Sequence, residues 1–291
     1  MITELIEADP TLAHSVREVF GLLFPPQPLQ TFLLELDAAG VDCAVLLPLD
    51  CTSAHGCRVV TNEQVAALVS QHPRFIGFAS ADPNLPDAVP TLRAAVRDLG
   101  LCGLHLDPAL QRFQLNSRDR AYPLYEAACD LDIPVLVDCG MSWAPLGQTA
   151  LAHPLALEQV IQDLPGLRLI IAGFAWPWFN EALLLALKHQ NVYLDTSIVY
   201  SGTPADALRH VLASQIGLSV LERSLPQQVL FGSDYPRADI RRSVRGLRSL
   251  GLSPALEAAV LGGNALAVLP ALRPALSAAN PLAEPHIEAA Q

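Results

Sequence analysis

Residues 103–140, GLHLDPALQRFQLNSRDRAYPLYEAACDLDIPVLVDCG, hold a complete strand–helix–strand unit. The first run, 101–108 (LCGLHLDP), is short and apolar and ends in an acid followed by proline. The last run, 134–140 (PVLVDCG), has the same build, and residues 118–132 between them carry helical spacing. Continuous apolar runs of this length suit parallel strands buried on both faces. Two of them joined through a helix make a βαβ crossover.

The same alternation extends in both directions. Further strand-like runs lie at 41–48 (VDCAVLLP), 74–83 (RFIGFASADP), 167–175 (LRLIIAGFA), 192–198 (VYLDTSI) and 229–236 (VLFGSDYP). Helical spacing fills 62–72, 87–99, 154–163, 179–189 and 238–250. This pattern predicts an α/β chain folded as a (β/α)8 TIM-like barrel. No glycine-rich phosphate turn follows an early strand, which argues against an open dinucleotide-binding sheet. The count is one strand short. Residues 1–40 hold no strand-like run, and Pro25, Pro26 and Pro28 break the chain there, so the first strand is expected to be missing or replaced. Residues 1–269 read as a single barrel domain, and 270–291 as a Pro/Ala-rich tail.

Half of the 291 residues are apolar (51%), enough for a large core without covalent staples. The net charge of −11 and the lack of any basic stripe exclude nucleic acid as an expected partner. No apolar run is long enough to span a membrane, and the acidic N-terminus lacks the features of a signal peptide. Six cysteines without a CxxC pair read as small buried hydrophobes in a reducing compartment. The expected setting is therefore cytoplasmic, with a small-molecule substrate or ligand as partner and neither nucleic acid nor membrane.

Active sites of parallel barrels lie at the C-terminal ends of the strands. Those ends carry Asp82, Asp107, Asp138, Asp195 and Asp234, with His105 two residues before Asp107 and so on the same strand face. Carboxylates gathered in one mouth must be paired, bind a cation or hold protons. An aspartate at a strand end also caps helices and closes turns, and Asp82 and Asp195 read mainly that way. Asp234, Asp138, His105 and Asp107 are the candidate catalytic residues. Trp143, Trp176 and Trp178, just beyond strand ends, are candidate walls for a flat substrate or plugs between loops.

The segments at 74–89, 103–140, 175–197, 229–236 (VLFGSDYP) and 262–269 (GGNALAVL) resemble, in order and spacing, the amidohydrolase-related (amidohydrolase 2) family. The resemblance implies a TIM-like barrel of the metal-dependent hydrolase type, and hydrolase or decarboxylase-like chemistry. It also implies a zinc or manganese ion held by an HxH pair on the first strand, a His ending the fifth and an Asp ending the eighth. A further His after the sixth strand serves there as acid or base. Asp234 matches the eighth-strand Asp, in GSDYP. Asp138 stands at the fifth-strand His and Gly173 at the sixth-strand His. Relatives read GLKLHP where this chain has GLHLDP, so His105 replaces a Lys and Asp107 a His. No HxH pair occurs.

The metal site is thus expected to be degenerate, with no resident cofactor. If zinc, manganese or magnesium binds, Asp234, Asp138 and Asp107 are its expected ligands. Three readings follow. The chain is a metal-free hydrolase or C–C lyase, with His105 or a protonated Asp138 as acid or base and Asp234 orienting a water or the histidine. Alternatively it is a non-catalytic homologue that binds a ligand or serves as scaffold or regulatory subunit for an active paralogue. Lastly, it is a metal-dependent member whose first strand lies outside this sequence. A homodimer or a pairing with a paralogous subunit is the expected assembly.

Overall fold

The computed structural model describes residues 2–198, 200 and 202–272. Seven parallel strands occur among them: β1 (Ala44–Leu46), β2 (Phe75–Gly77, continued by Ala79–Ser80), β3 (Leu104–Leu106), β4 (Val135–Val137), β5 (Leu169–Ile171), β6 (Val192–Asp195) and β7 (Val229–Leu230). Each lies in one of the seven apolar runs and pairs with its sequence neighbour. Helices follow the strands as the spacing predicts. Asn62–Gln71 starts in a capping box between Thr61 and Gln64. Ile240–Arg248 starts at Asp239, whose carboxylate accepts the Arg242 N–H.

Strand alternation sorts the side chains into two sets. Leu104, Leu106, Val135, Val137, Leu169, Ile171, Val192 and Leu194 face the surrounding helices. Val45, Ile76, Phe78, Leu136, Ile170, Tyr193 and Leu230, drawn from six strands, meet in one separate cluster. A flat sheet cannot bring β1 and β7 side chains together in that way, so the sheet curls into the expected barrel. Val268, Leu269 and Leu272 join this cluster. Leu272 falls inside the stretch expected to be tail, and residues 273–291 of that tail lie outside the described residues.

Among the described residues no strand precedes β1, and helices stand there instead. Before Ala44 the described residues form Thr3–Ala8, Thr11–His14, Ser15–Val19 and Leu29–Ala39, with one isolated bridge between Ile2 and Gln27. Leu12, Val16, Val19 and Leu22 pack on Leu49, Cys51 and Val59 of a short hairpin, and on Leu110 and Ala144. These partners follow the C-terminal ends of β1, β3 and β4, so the N-terminal segment lies against the mouth. Among the described residues no ladder joins β7 to β1. Side chains close that seam: Phe32 stacks on Phe75 and Tyr235, and Leu46 and Phe231 pack into the same cluster. No described helix is long and apolar enough to cross a membrane.

Candidate active site

His105 occupies an inward position of β3, level with Ser80 of β2 and Leu136 of β4. Its ring is buried and held at both nitrogens. Nδ1 lies 2.6 Å from the Pro48 carbonyl oxygen, and Nε2 lies 3.0 Å from Oδ2 of Asp138. A carbonyl oxygen only accepts, so Nδ1 carries a hydrogen and donates it to Pro48. One further proton is then shared between Nε2 and Oδ2. Either the imidazolium faces a carboxylate, or a neutral ring accepts from a protonated Asp138. Burial alone pushes His105 down. The Asp138 charge, the hydrogen bonds to Asp138 and Pro48, and the Asp107 charge outweigh it and raise its pKa.

Asp138 also lines a cavity of about 110 Å³ at the mouth, together with Asp107, Asp234, Trp143, Trp176 and Arg237. Strand period two carries the chain from Leu136 to Asp138 on the inner face, and from His105 to Asp107. Asp107 does double duty: Oδ1 accepts the Leu110 N–H at 2.9 Å, capping the short helix Pro108–Gln111. Burial, then the charge of Asp138, raise its pKa to about 7 against the opposing pull of the cap and His105. Asp234 follows β7 with φ +53, a left-handed conformation that aspartate tolerates better than most residues. Its carboxyl opens on the cavity at 31% exposure yet sits deep in the mouth. That depth raises its pKa to about 7 although Arg237 pulls it down.

Asp234 does not reach His105 as a hydrogen-bond partner; its charged neighbour is Arg237, Oδ1 to Nη1 at 3.9 Å. The hydrogen bond to His105 is made by Asp138 and not by Asp234. Trp143 and Trp176 line the cavity, Trp176 stacking on Tyr200 at 4.2 Å between ring centroids. Trp178 is not among the lining residues and packs on His153 instead. Asp82 and Asp195 serve the turns, as expected. Asp82 accepts from Ser53 N, Ser53 Oγ and Asn84 N. Asp195 accepts from Gly173 N and Ser197 N, both at 2.9 Å. Gly173, Phe174 and Ala175 all have positive φ, and a Cβ on Gly173 would lie 3.1 Å from the Ser197 carbonyl oxygen. A histidine there would be strained as well as crowded.

The donor set does not fit the zinc or manganese ion of the resemblance. Among the described residues no group of three or more His, Cys, Asp or Glu side chains is placed to hold a metal ion. Asp138 engages His105, Asp107 engages its helix, and Asp234 faces Arg237. Arg237 and Phe20 are cavity residues that sequence reasoning did not single out. An arginine directly after SDYP was a readable signal; nothing around Phe20 marked it.

The raised pKa of Asp107 makes a stability prediction. A carboxyl held above its ordinary value stabilises the fold below that ordinary value, and the contribution is lost as pH rises through about 7. Asparagine imitates the protonated acid and keeps the Leu110 cap. Asp107→Asn is therefore expected to gain stability relative to wild type between pH 5 and pH 8, by on the order of 2 kcal/mol. Urea unfolding at both pH values reads this directly, and an unchanged difference refutes it.

Comparison with solved structures gives the same architecture. An uncharacterised TIM-barrel protein from Bordetella bronchiseptica superposes with TM-score 0.71 at 24% identity, covering 85% of this chain and 83% of that one. 5-Carboxyvanillate decarboxylase from Sphingomonas paucimobilis gives 0.64 at 18% identity, covering 93% and 96%. 2,6-Dihydroxybenzoate decarboxylase from Rhizobium gives 0.62 at 15%, covering 84% and 88%. No curated protein matches. The family model described as amidohydrolase matches residues 21–271. By that match the chain belongs to the amidohydrolase family, in its amidohydrolase 2 branch.

Proposed function

We propose that the protein is a hydrolase or decarboxylase-like C–C lyase for a small carbonyl, carboxylate or acyl compound, working by acid–base chemistry without the usual metal of its family. The observation that carries this reading is the His105–Asp138 pair, fixed from behind by Pro48 and opening on the mouth cavity through Asp138. A substrate in the cavity meets Asp138, with His105 as the proton reservoir beneath it. In a decarboxylation the bond to the carboxylate carbon breaks, CO2 leaves, and the remaining carbon takes the shared proton. In a hydrolysis the pair takes a proton from the attacking water and returns it to the leaving group. Two structural neighbours bear the names of decarboxylases of small aromatic acids, which suits a cavity of about 110 Å³. Six free thiols suit a cytoplasmic setting.

The misfit of the donor set favours a second reading, a non-catalytic ligand-binding or regulatory subunit paired with an active paralogue. Assays for CO2 release and for hydrolysis, over a panel of small carboxylic acids and esters, separate the two. Turnover that survives chelator treatment supports the acid–base enzyme. Turnover that appears only with added zinc, manganese or magnesium overturns its metal-free part. Folded protein that binds panel members but turns none over supports the second reading.

A further inference from the structure

Arg237 is a cation with too little counter-charge for its place. Its side chain is only 10% exposed, and it lines the mouth cavity. A guanidinium offers five N–H donors in a planar fork. Among the described residues Arg237 makes one hydrogen bond, from Nη2 to the Phe20 carbonyl oxygen at 2.7 Å, and one long ion pair with Asp234 at 3.9 Å. The Phe20 ring lies under the guanidinium at 4.3 Å from its centroid. Neither Phe20 contact supplies negative charge. A buried charge short of a partner is unfavourable, and a partner brought in by a ligand relieves it.

The clamp has a definite origin in the chain. Phe20 ends the helical turn Ser15–Val19, its N–H donating to the Ser15 carbonyl. Gly21 then turns the chain at φ +70 against Pro145 and Trp143, where a Cβ would lie 2.7 Å from the proline ring. The helical segment before β1 thus places a carbonyl and an aromatic face on Arg237. Arg237 also lines a second cavity of about 120 Å³ beside Asp239 and Arg242.

We infer that Arg237 selects an anionic substrate, pairing a ligand carboxylate with the guanidinium that Phe20 holds at the cavity wall. The inference rests on the reading of this cavity as the substrate site. A carboxylate matches the fork through two parallel N–H···O bonds; the corresponding amide has one oxygen and no charge. Arg237 is thus a specificity residue, distinct from the proton-bearing His105–Asp138 pair.

Calorimetric titration with matched acids and amides tests it: acetate against acetamide, and benzoate against benzamide. Wild type is expected to bind at least one acid tenfold or more tightly than its amide. Arg237→Gln is expected to erase that preference, and Arg237→Lys to reduce it, because an ammonium keeps the charge without the fork. Unfolding midpoints near wild type show that the variants are folded; should the Gln variant not fold, the Lys variant carries the test. The inference is overturned if no acid outbinds its amide in wild type, or if the preference persists in the folded variants. Turnover by wild type with an Arg237-independent preference would remove this inference alone. An Arg237-dependent preference in a protein without turnover would remove the catalytic reading and keep the binding site.

Discussion

Asp138→Asn is expected to reduce turnover by about 10²- to 10⁴-fold while leaving KM and the unfolding midpoint nearly unchanged. The argument is one of proton inventory. His105 commits its Nδ1 hydrogen to Pro48, so the only mobile proton of the pair lies between Nε2 and Asp138 Oδ2. An asparagine amide fills the same space. It can donate to a neutral Nε2 or accept from a protonated one, but it neither gives up a proton nor takes one. The cavity keeps its shape and the chemistry loses its acid and base. A variant that retains more than a tenth of wild-type kcat would mean that the reaction runs elsewhere in the cavity, with Asp234 the next group to replace. A drop in both kcat and stability would instead point to a structural role for the pair, and Asp138→Glu would then be the informative variant.

Gly140→Ala is expected to be the most destabilising single methyl near the site. Gly140 has φ +94, and a Cβ there would lie 2.4 Å from the Trp176 carbonyl oxygen and 2.5 Å from the Ala175 carbonyl carbon. Both obstacles are backbone, and the chain around them is tied by Met141 N–H to Trp176 O at 2.7 Å and Gly140 N–H to Ala152 O at 2.9 Å. Left-handed strain of about 1–2 kcal/mol adds to an overpacking penalty of about 1–3 kcal/mol. A loss of roughly 2–5 kcal/mol in urea unfolding follows, with falling activity as Asp138, two residues back, is displaced. Gly100 is the control. Its φ is +71, nothing lies within 4 Å of a built Cβ, and Gly100→Ala is expected to lose only the left-handed strain of about 1–2 kcal/mol. Equal losses at the two positions would show that conformation alone, without the clash, sets the effect.

The barrel was legible because its strands are buried on both faces. Each of the seven apolar runs holds a strand, and residues 103–140 alone carry two of them with the helix between. That residues 1–40 supply no strand was legible too, from the lack of an apolar run and the three clustered prolines. What they form instead was not. Leu12, Val16, Val19 and Leu22 have helical spacing, but their partners Leu49, Cys51, Leu110 and Ala144 are distant in sequence. The site was half legible. Strand period two put His105 and Asp107 on the inner face and Asp138 and Asp234 at the mouth. The pairing of His105 with Asp138 depends on two strands meeting in register, Leu136 beside His105, and register between strands is not written in either one. The same limit hid Arg237, whose significance comes from a phenylalanine 217 positions earlier.

The seam between β7 and β1 divides the mouth into two kinds of wall. His105 and Asp138 stand on β3 and at the end of β4, inside an unbroken run of paired strands. Asp234 and Arg237 follow β7, a strand paired on one side only among the described residues, beyond which Phe231 N–H turns to the carbonyl of Val260. Local opening costs least where side chains alone hold an edge. The half proposed to carry the proton is therefore the stiff half, and the half proposed to meet the ligand borders the β7–β1 seam seen among the described residues. On the proposed reading, such a barrel yields on its recognition side to admit differently shaped acids while the distance between imidazole and carboxylate stays fixed.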